Sequence, residues 1–180
     1  MQDAEQIRSL INRLARLDAA GNWGGALNPA QRAALEYLAR ANRFSRSPSH
    51  VADYLGATRG TTSQTLKALM RKGFVDEQRL ATDRRSISYR VTEAGREIVG
   101  ARSLLSDALA DLPEADLALI AAAMRGLLGA AIRRNGAKPF GVCQTCRHFR
   151  RRGAGGYCAL MDVALDSDET DQLCHEHAPA

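Results

Sequence analysis

The 180-residue chain contains only four cysteines, Cys143, Cys146, Cys158 and Cys174, and all of them lie beyond residue 142. Their spacing is C-x2-C-x11-C-x15-C, with His148, His175 and His177 close by. Thiolates are natural ligands for Zn2+ and for iron–sulfur clusters, and two cysteines separated by two residues suit one metal-binding turn. In a reducing compartment, four clustered thiols read as a ligand set rather than as two disulfides. A zinc ribbon usually brings two paired knuckles. Here the second pair would have to be Cys174 with His177, which leaves Cys158 over. One close pair followed by two widely separated single cysteines is nearer to the way a small module wraps an iron–sulfur cluster. The spacing therefore favours a cluster, with Zn2+ as the alternative.

A second group of residues offers chemistry of another kind. In "TRGTTSQTLKALMRKGFV", Thr61, Thr62, Ser63, Gln64 and Lys67 lie at the start and on the outer face of a helix whose inward stripe is Leu66, Leu69 and Met70. Small hydroxyls, an amide and a cation at a helix N-terminus can meet phosphate oxygens and base edges. Such helix starts are also ordinary caps, so their context decides. Downstream, Ile87, Tyr89 and Val91 alternate with Ser86, Ser88 and Arg90, and a shorter strand from 74 to 80 precedes them, which predicts a hairpin. Its turn, "ATDRR", carries Asp83, Arg84 and Arg85 and could reach along a DNA groove, with Asp83 buttressing one arginine.

The elements that must position these groups are mostly helices. Ile7, Leu10, Ile11, Leu14 and Leu17 predict an amphipathic helix over 2–20, which "GNWGG" ends. "NPAQRAALEYLARA" restarts helix with Asn28 as cap, Pro29 at the first position and Gln31 as capping-box partner. Ser47 and Pro48 repeat the device for a short helix that faces the core with Val51, Tyr54 and Leu55 and stops at Gly56. That helix and the next form a helix-turn-helix layout. Thr92 caps a helix predicted to run through "EAGREIVGARSLLSDALADL", and Pro113 starts another to about residue 135 with Leu117, Ile120, Met124, Leu127, Leu128 and Ile132 on its apolar face.

Composition sets limits. The net charge is +5, compatible with a polyanionic partner. The longest apolar runs, such as "LALIAAAM", fall short of the roughly 20 residues of a membrane span, and "MQDAEQIRSL" lacks a signal peptide's layout. The expectation is a cytoplasmic protein with no membrane partner. No phosphate-binding glycine loop, triad layout or paired-carboxylate cleft supports an enzyme.

Taken in order, "SPSHVADYLGATRGTTSQTLKALMRKGFV", "DRRSISYRVTEAG" and terminal helices rich in Leu, Ala and Ile resemble the MarR family of winged-helix transcriptional regulators over residues 2–135. The resemblance implies a mainly α fold with a small β-hairpin wing, in which the first and last helices form a homodimer. It further implies binding to double-stranded DNA at a pseudo-palindromic operator. Carried over by position, Thr61, Thr62, Ser63, Gln64 and Lys67 would meet the major groove, Arg85 the adjacent minor groove held by Asp83, and Arg84 phosphate. Relatives that bind small aromatic effectors do so in a cleft that Trp23, Tyr37 and Phe44 could line here, although such aromatics are more often core. No cysteine lies in the winged-helix part, so thiol sensing by that route is excluded.

The domain division expected is 1–137 for the winged-helix and dimerisation part and 138–180 for the cysteine-rich tail, joined by "NGAKPFG". The tail loosely resembles small cluster-binding modules with a "C-x2-C … GYC … C" arrangement. Arg147, Arg150, Arg151 and Arg152 adjoin a stretch with Asp162, Asp166, Asp168, Glu169, Asp171 and Glu176 and no later basic residue. They read as local compensation, with the tail off the DNA and near the dimerisation helices. The favoured reading is a DNA-binding regulator whose tail senses iron or redox state. A structural zinc tail, with an aromatic effector or none, is the alternative. A third reading is an interaction module that recruits a partner through the tail.

Overall fold

The computed structural model describes residues 2–21, 25–80 and 83–180, the side chains of residues 80 and 83–86 apart. Helix α1 spans Gln2–Gly21 and α2 spans Pro29–Arg40. The α2 start is set by its sequence: Asn28 Oδ1 accepts from Gln31 N, and the Gln31 side chain returns a bond to Asn28 N. Helix α3, Pro48–Leu55, begins at the Ser47 cap and ends where Gly56 turns left-handed at φ 61°. Helix α4 follows as Arg59–Arg71 behind the Thr58 cap.

Strands β1 (Val75–Leu80) and β2 (Asp83–Val91) form the expected antiparallel hairpin, with Val75 opposite Val91 and Glu77 opposite Tyr89. Helix α5, Glu93–Gly100, is capped by Thr92, whose hydroxyl also donates to Gly73 O.

The core lies between α2, α3, α4 and the hairpin, with Leu35, Leu38, Val51, Leu66, Leu69 and Val75 fully enclosed. Each such side chain contributes about 1.5–3 kcal/mol by leaving water. Two predicted inward residues differ: Met70 is exposed, and Tyr54 is 40% exposed while resting against the Tyr37 ring at 4.5 Å.

The single helix expected after Thr92 is two. It breaks at Ala101, and α6 spans Leu104–Ala110. Ser103 accepts from Ser106 N while the Ser106 side chain bonds Ser103 N, and this reciprocal cap starts a new helix instead of extending the old one. The break folds α6 back on α1, where Leu105 N donates to Asp18 Oδ1 at 3.0 Å.

Helix α7, Glu114–Asn135, closes the helical part. Neither α1 nor α7 fully buries a residue within the chain, and Leu10, Leu14, Ile120, Met124 and Leu128 all stand open. The length and apolar character of α7, with a mean hydropathy of 1.7 over an 18-residue window, would suffice to cross a membrane. The sequence expectation that no segment reaches that length missed this, because Arg125 and the flanking acids interrupt its apolar runs.

The tail is a small β structure. Strands β3 (Gly141–Val142) and β7 (Leu173–Cys174) pair antiparallel, and β4 (Phe149–Arg152), β5 (Gly155–Cys158) and β6 (Val163–Leu165) form a second sheet in that order. Only a glycine fits at 156, where a Cβ would lie 2.2 Å from the Phe149 ring.

Gly95 has a similar constraint in the winged helix: a Cβ there would stand 2.3 Å from Phe74 O. Gly95→Ala should lower unfolding stability by about 1–3 kcal/mol. Gly100→Ala, which meets nothing within 4 Å, should be neutral or stabilising by up to about 1 kcal/mol. Chemical denaturation of the two variants side by side checks both.

Candidate nucleic-acid interface and cysteine cavity

Helix α4 has two unlike faces. Thr62, Leu66 and Leu69, at i, i+4 and i+7, are sealed against α2 and α3, whereas Thr61, Gln64 and Lys67 are exposed on the opposite side and Ser63 is half-buried at the edge. Thr62 is therefore corrected as a candidate contact. It is 2% exposed, and its hydroxyl lies inside the helix packing without a hydrogen-bond partner. The Thr61 hydroxyl lies 2.9 Å from the Thr58 hydroxyl and shares in the helix cap. Arg59, which the sequence reading passed over, is exposed in the first turn of α4 and lines a cleft with Arg46 and Ser88 of the hairpin. Asp83, Arg84 and Arg85 fall on β2 at the wing tip, and their side chains lie outside the described residues, as does Trp23. Of the other aromatics expected to line an effector cleft, Tyr37 is enclosed and donates to Ser45 O at 2.6 Å, and burial pushes its phenol up. Phe44 is half-buried under the Arg43 guanidinium.

All four cysteines open onto one cavity of about 360 Å3. They arrive from separate elements: Cys143 opens a single 3-10 turn, Cys146 follows it, Cys158 ends β5 and Cys174 ends β7. The cavity also includes Asn42, Phe44 and Ser45 from the α2–α3 loop and His50 from α3. Asn42 Nδ2 donates to Cys143 Sγ at 3.4 Å, and Ala178 N donates to Cys146 Sγ at 3.4 Å. Cys143 lies close enough to Cys174 to donate to its sulfur, which brings the Cys174 thiol down to about 6 and pushes the Cys143 thiol up. Among the described residues, no three His, Cys, Asp or Glu side chains converge on a single-ion site.

Its charge suggested a place for the tail near the terminal helices. The tail docks on the α2–α3 loop. Ala41 and Leu173 form a parallel bridge, Asn42 N donates to Leu173 O at 2.9 Å, and the Leu173 side chain enters the winged-helix core. Arg43 forks onto both Glu169 carboxylate oxygens at 2.7 and 2.8 Å. His175 is buried, donates its backbone N–H to Ser45 Oγ and stacks on His50 at 3.8 Å. Burial, helped by His175, holds the His50 imidazole down at about 4. Three of the four arginines make local contacts: Arg147 Nε donates to Pro179 O, Arg150 to Arg147 O, and Arg152 lies over the Tyr157 ring at 4.0 Å.

Comparison with known proteins bears on the first of these two sites. Residues 27–86 match the model of the MarR family. FabT of Streptococcus pneumoniae, solved in complex with DNA, aligns at 20% identity over 72% of this chain and 95% of its own, with a TM-score of 0.56. The fold is a winged helix-turn-helix. MepR of S. aureus, also solved with DNA, gives 20% identity, 71% and 96% coverage and a TM-score of 0.55. BldR of Sulfolobus solfataricus gives 19%, 71%, 96% and 0.54. No curated protein matches the chain. These winged-helix structures are matched over nearly their whole length, yet each leaves more than a quarter of this chain without a counterpart.

The Arg43–Glu169 fork should hold the tail in place. Glu169 is 8% exposed, and its carboxylate also accepts from Asp166 N. Glu169→Ala leaves Arg43 half-exposed to water and so should cost the winged helix little. It should free the tail, seen as at least about tenfold faster amide exchange at 163–175 with exchange in α2 and α4 unchanged. Uniform exchange across the variant and the parent would show that the fork does not anchor the tail.

Proposed function

We propose that the chain is a sequence-selective, dimeric DNA-binding regulator of transcription that works in the cytoplasm, and that its tail acts on the winged helix. The observation that carries this reading is the two-faced α4, with Leu66 and Leu69 fixing it to the core while Gln64 and Lys67, and Arg59 in its first turn, stand open. An amide and two cations on a rigidly held helix are suited to base edges and phosphates. Arg84 and Arg85 on the wing would follow the backbone into the next minor groove, with Asp83 holding Arg85. The DNA complexes of FabT and MepR, which share the fold, lend support.

The second component is a homodimer. The apolar faces of α1 and α7 are too extensive to stay in water, and a second copy would cover them across a two-fold axis. Two α4 helices would then meet successive major grooves of a pseudo-palindromic operator.

A duplex selected from a randomised pool, titrated by fluorescence anisotropy, tests the DNA reading. Gln64→Ala should weaken binding by about tenfold and relax base preference, within the range expected for one base contact. Lys67→Ala should weaken all duplexes alike and lower the salt slope by about one. Unchanged affinity and slope in both variants would remove α4 as the reader. For the dimer, Leu128→Glu should convert a sedimenting dimer to monomer. A parent chain that sediments as a monomer, or that partitions onto lipid vesicles through α7, would refute it.

A further inference from the structure

We propose that Cys143, Cys146, Cys158 and Cys174 together hold an iron–sulfur cluster in the cavity they share, and that the cluster fixes the α2–α3 loop and through it the recognition helix α4. The site is independent of the DNA reading; the coupling rests on it.

The geometry favours a cluster over a lone ion. A tetrahedral Zn2+ site draws four donors to within about 2.3 Å of one point, and among the described residues no three donors converge in that way. The four sulfurs instead open onto a common space of about 360 Å3, far larger than one ion requires. Its lining is largely apolar, with Phe44, Phe149, Leu160, Met161 and Leu165 among the residues around the sulfurs. Hydrogen-bond donors point at two of the sulfurs: Asn42 Nδ2 at Cys143 and Ala178 N at Cys146. Donors to sulfur and an apolar shell are the means by which a protein stabilises and tunes such a cluster.

Binding is a ligand exchange. Transfer from a donor cluster bearing four small thiolates forms four iron–Sγ bonds and breaks four iron–thiolate bonds. Each cysteine proton leaves on a departing thiol, and no electron changes hands.

The cavity shares its wall with the winged helix. Asn42 and Ser45 belong to the loop that ends α2, and His50 sits in α3, which packs directly on α4. Cluster loading therefore fixes one end of the helix-turn-helix pair.

The test uses the full chain purified without oxygen, then offered a preformed thiolate-ligated [4Fe–4S] donor. Expected are iron and acid-labile sulfide in equal amounts, four of each per chain, with broad visible absorbance. Cys158→Ser and Cys146→Ser should each lose it while keeping the far-ultraviolet circular dichroism of the parent. One zinc per chain with refusal of the donor cluster would overturn the site, and so would a Cys143–Cys174 disulfide in the freshly isolated protein. For the coupling, the loaded and cluster-free chains should differ by about tenfold or more in affinity for the selected duplex, a usual size for linked sites. Equal affinities would overturn the coupling. Failure of both forms to bind any duplex, with cluster content intact, would place the fault in the DNA reading.

Discussion

Residues 41–46, the loop between α2 and α3, are the constraint on which the rest of the structure depends. A loop this deep in a small domain carries backbone groups that neither helix can satisfy, and each would be costly if left alone. The tail meets one need, since Leu173 O accepts from Asn42 N. Side chains meet others: Tyr37 donates to Ser45 O, and Arg46 Nε to Ala41 O. The wing is tied in as well, through Tyr89 N on Arg46 O. Helix α2, the wing, α3 and the tail thus share one short segment. A displacement of any one of them must be accommodated by the other three.

The terminal helices obey a different rule. No residue of either is fully buried within the chain, so most of the hydrophobic free energy of their apolar faces is unrealised in the single chain. The α6 fold-back adds to this by pinning α1 to the segment that precedes α7. The result is a cross-linked winged helix with its tail and a pair of long helices whose apolar faces stand open. In a two-fold assembly, a change at the α2–α3 loop would alter how each α4 is presented while leaving the association face alone.

The helical skeleton was legible in the sequence because its punctuation is chemical: Asn28 with Gln31, Ser47 with Pro48, Thr92, and Gly56 each do locally what their residue types dictate. The apolar stripe of α4 gave its inner face, but the boundary was misjudged by one residue on each side. Thr62 went in and Met70 came out, because a stripe read at 3.6 residues per turn does not specify its width. The α5–α6 break was missed because a Ser-x-x-Ser cap is weaker as a signal than proline or glycine. The four cysteines announced a site, yet nothing in their spacing could say that Asn42 and Ser45, a hundred residues earlier, would face the same cavity. That is tertiary information carried by Leu173 and the Arg43–Glu169 fork.

The placement of the arginine run decides how a tail site could act. Had Arg147, Arg150 and Arg152 been free, a change in the tail's charge would compete directly for phosphate. Each instead makes a local contact, with the carbonyls of Pro179 and Arg147 and with the Tyr157 ring, while staying exposed. The tail's carboxylates, among them Asp166, Asp168 and Asp171, face solvent beside them and would repel a polyanion. A four-thiolate site adds further negative charge to this module whichever inorganic species it holds. Long-range electrostatics would thus weaken DNA binding modestly and in a salt-screened way. Any larger effect must pass through contact, and the tail touches the winged helix at the α2–α3 loop and at α3.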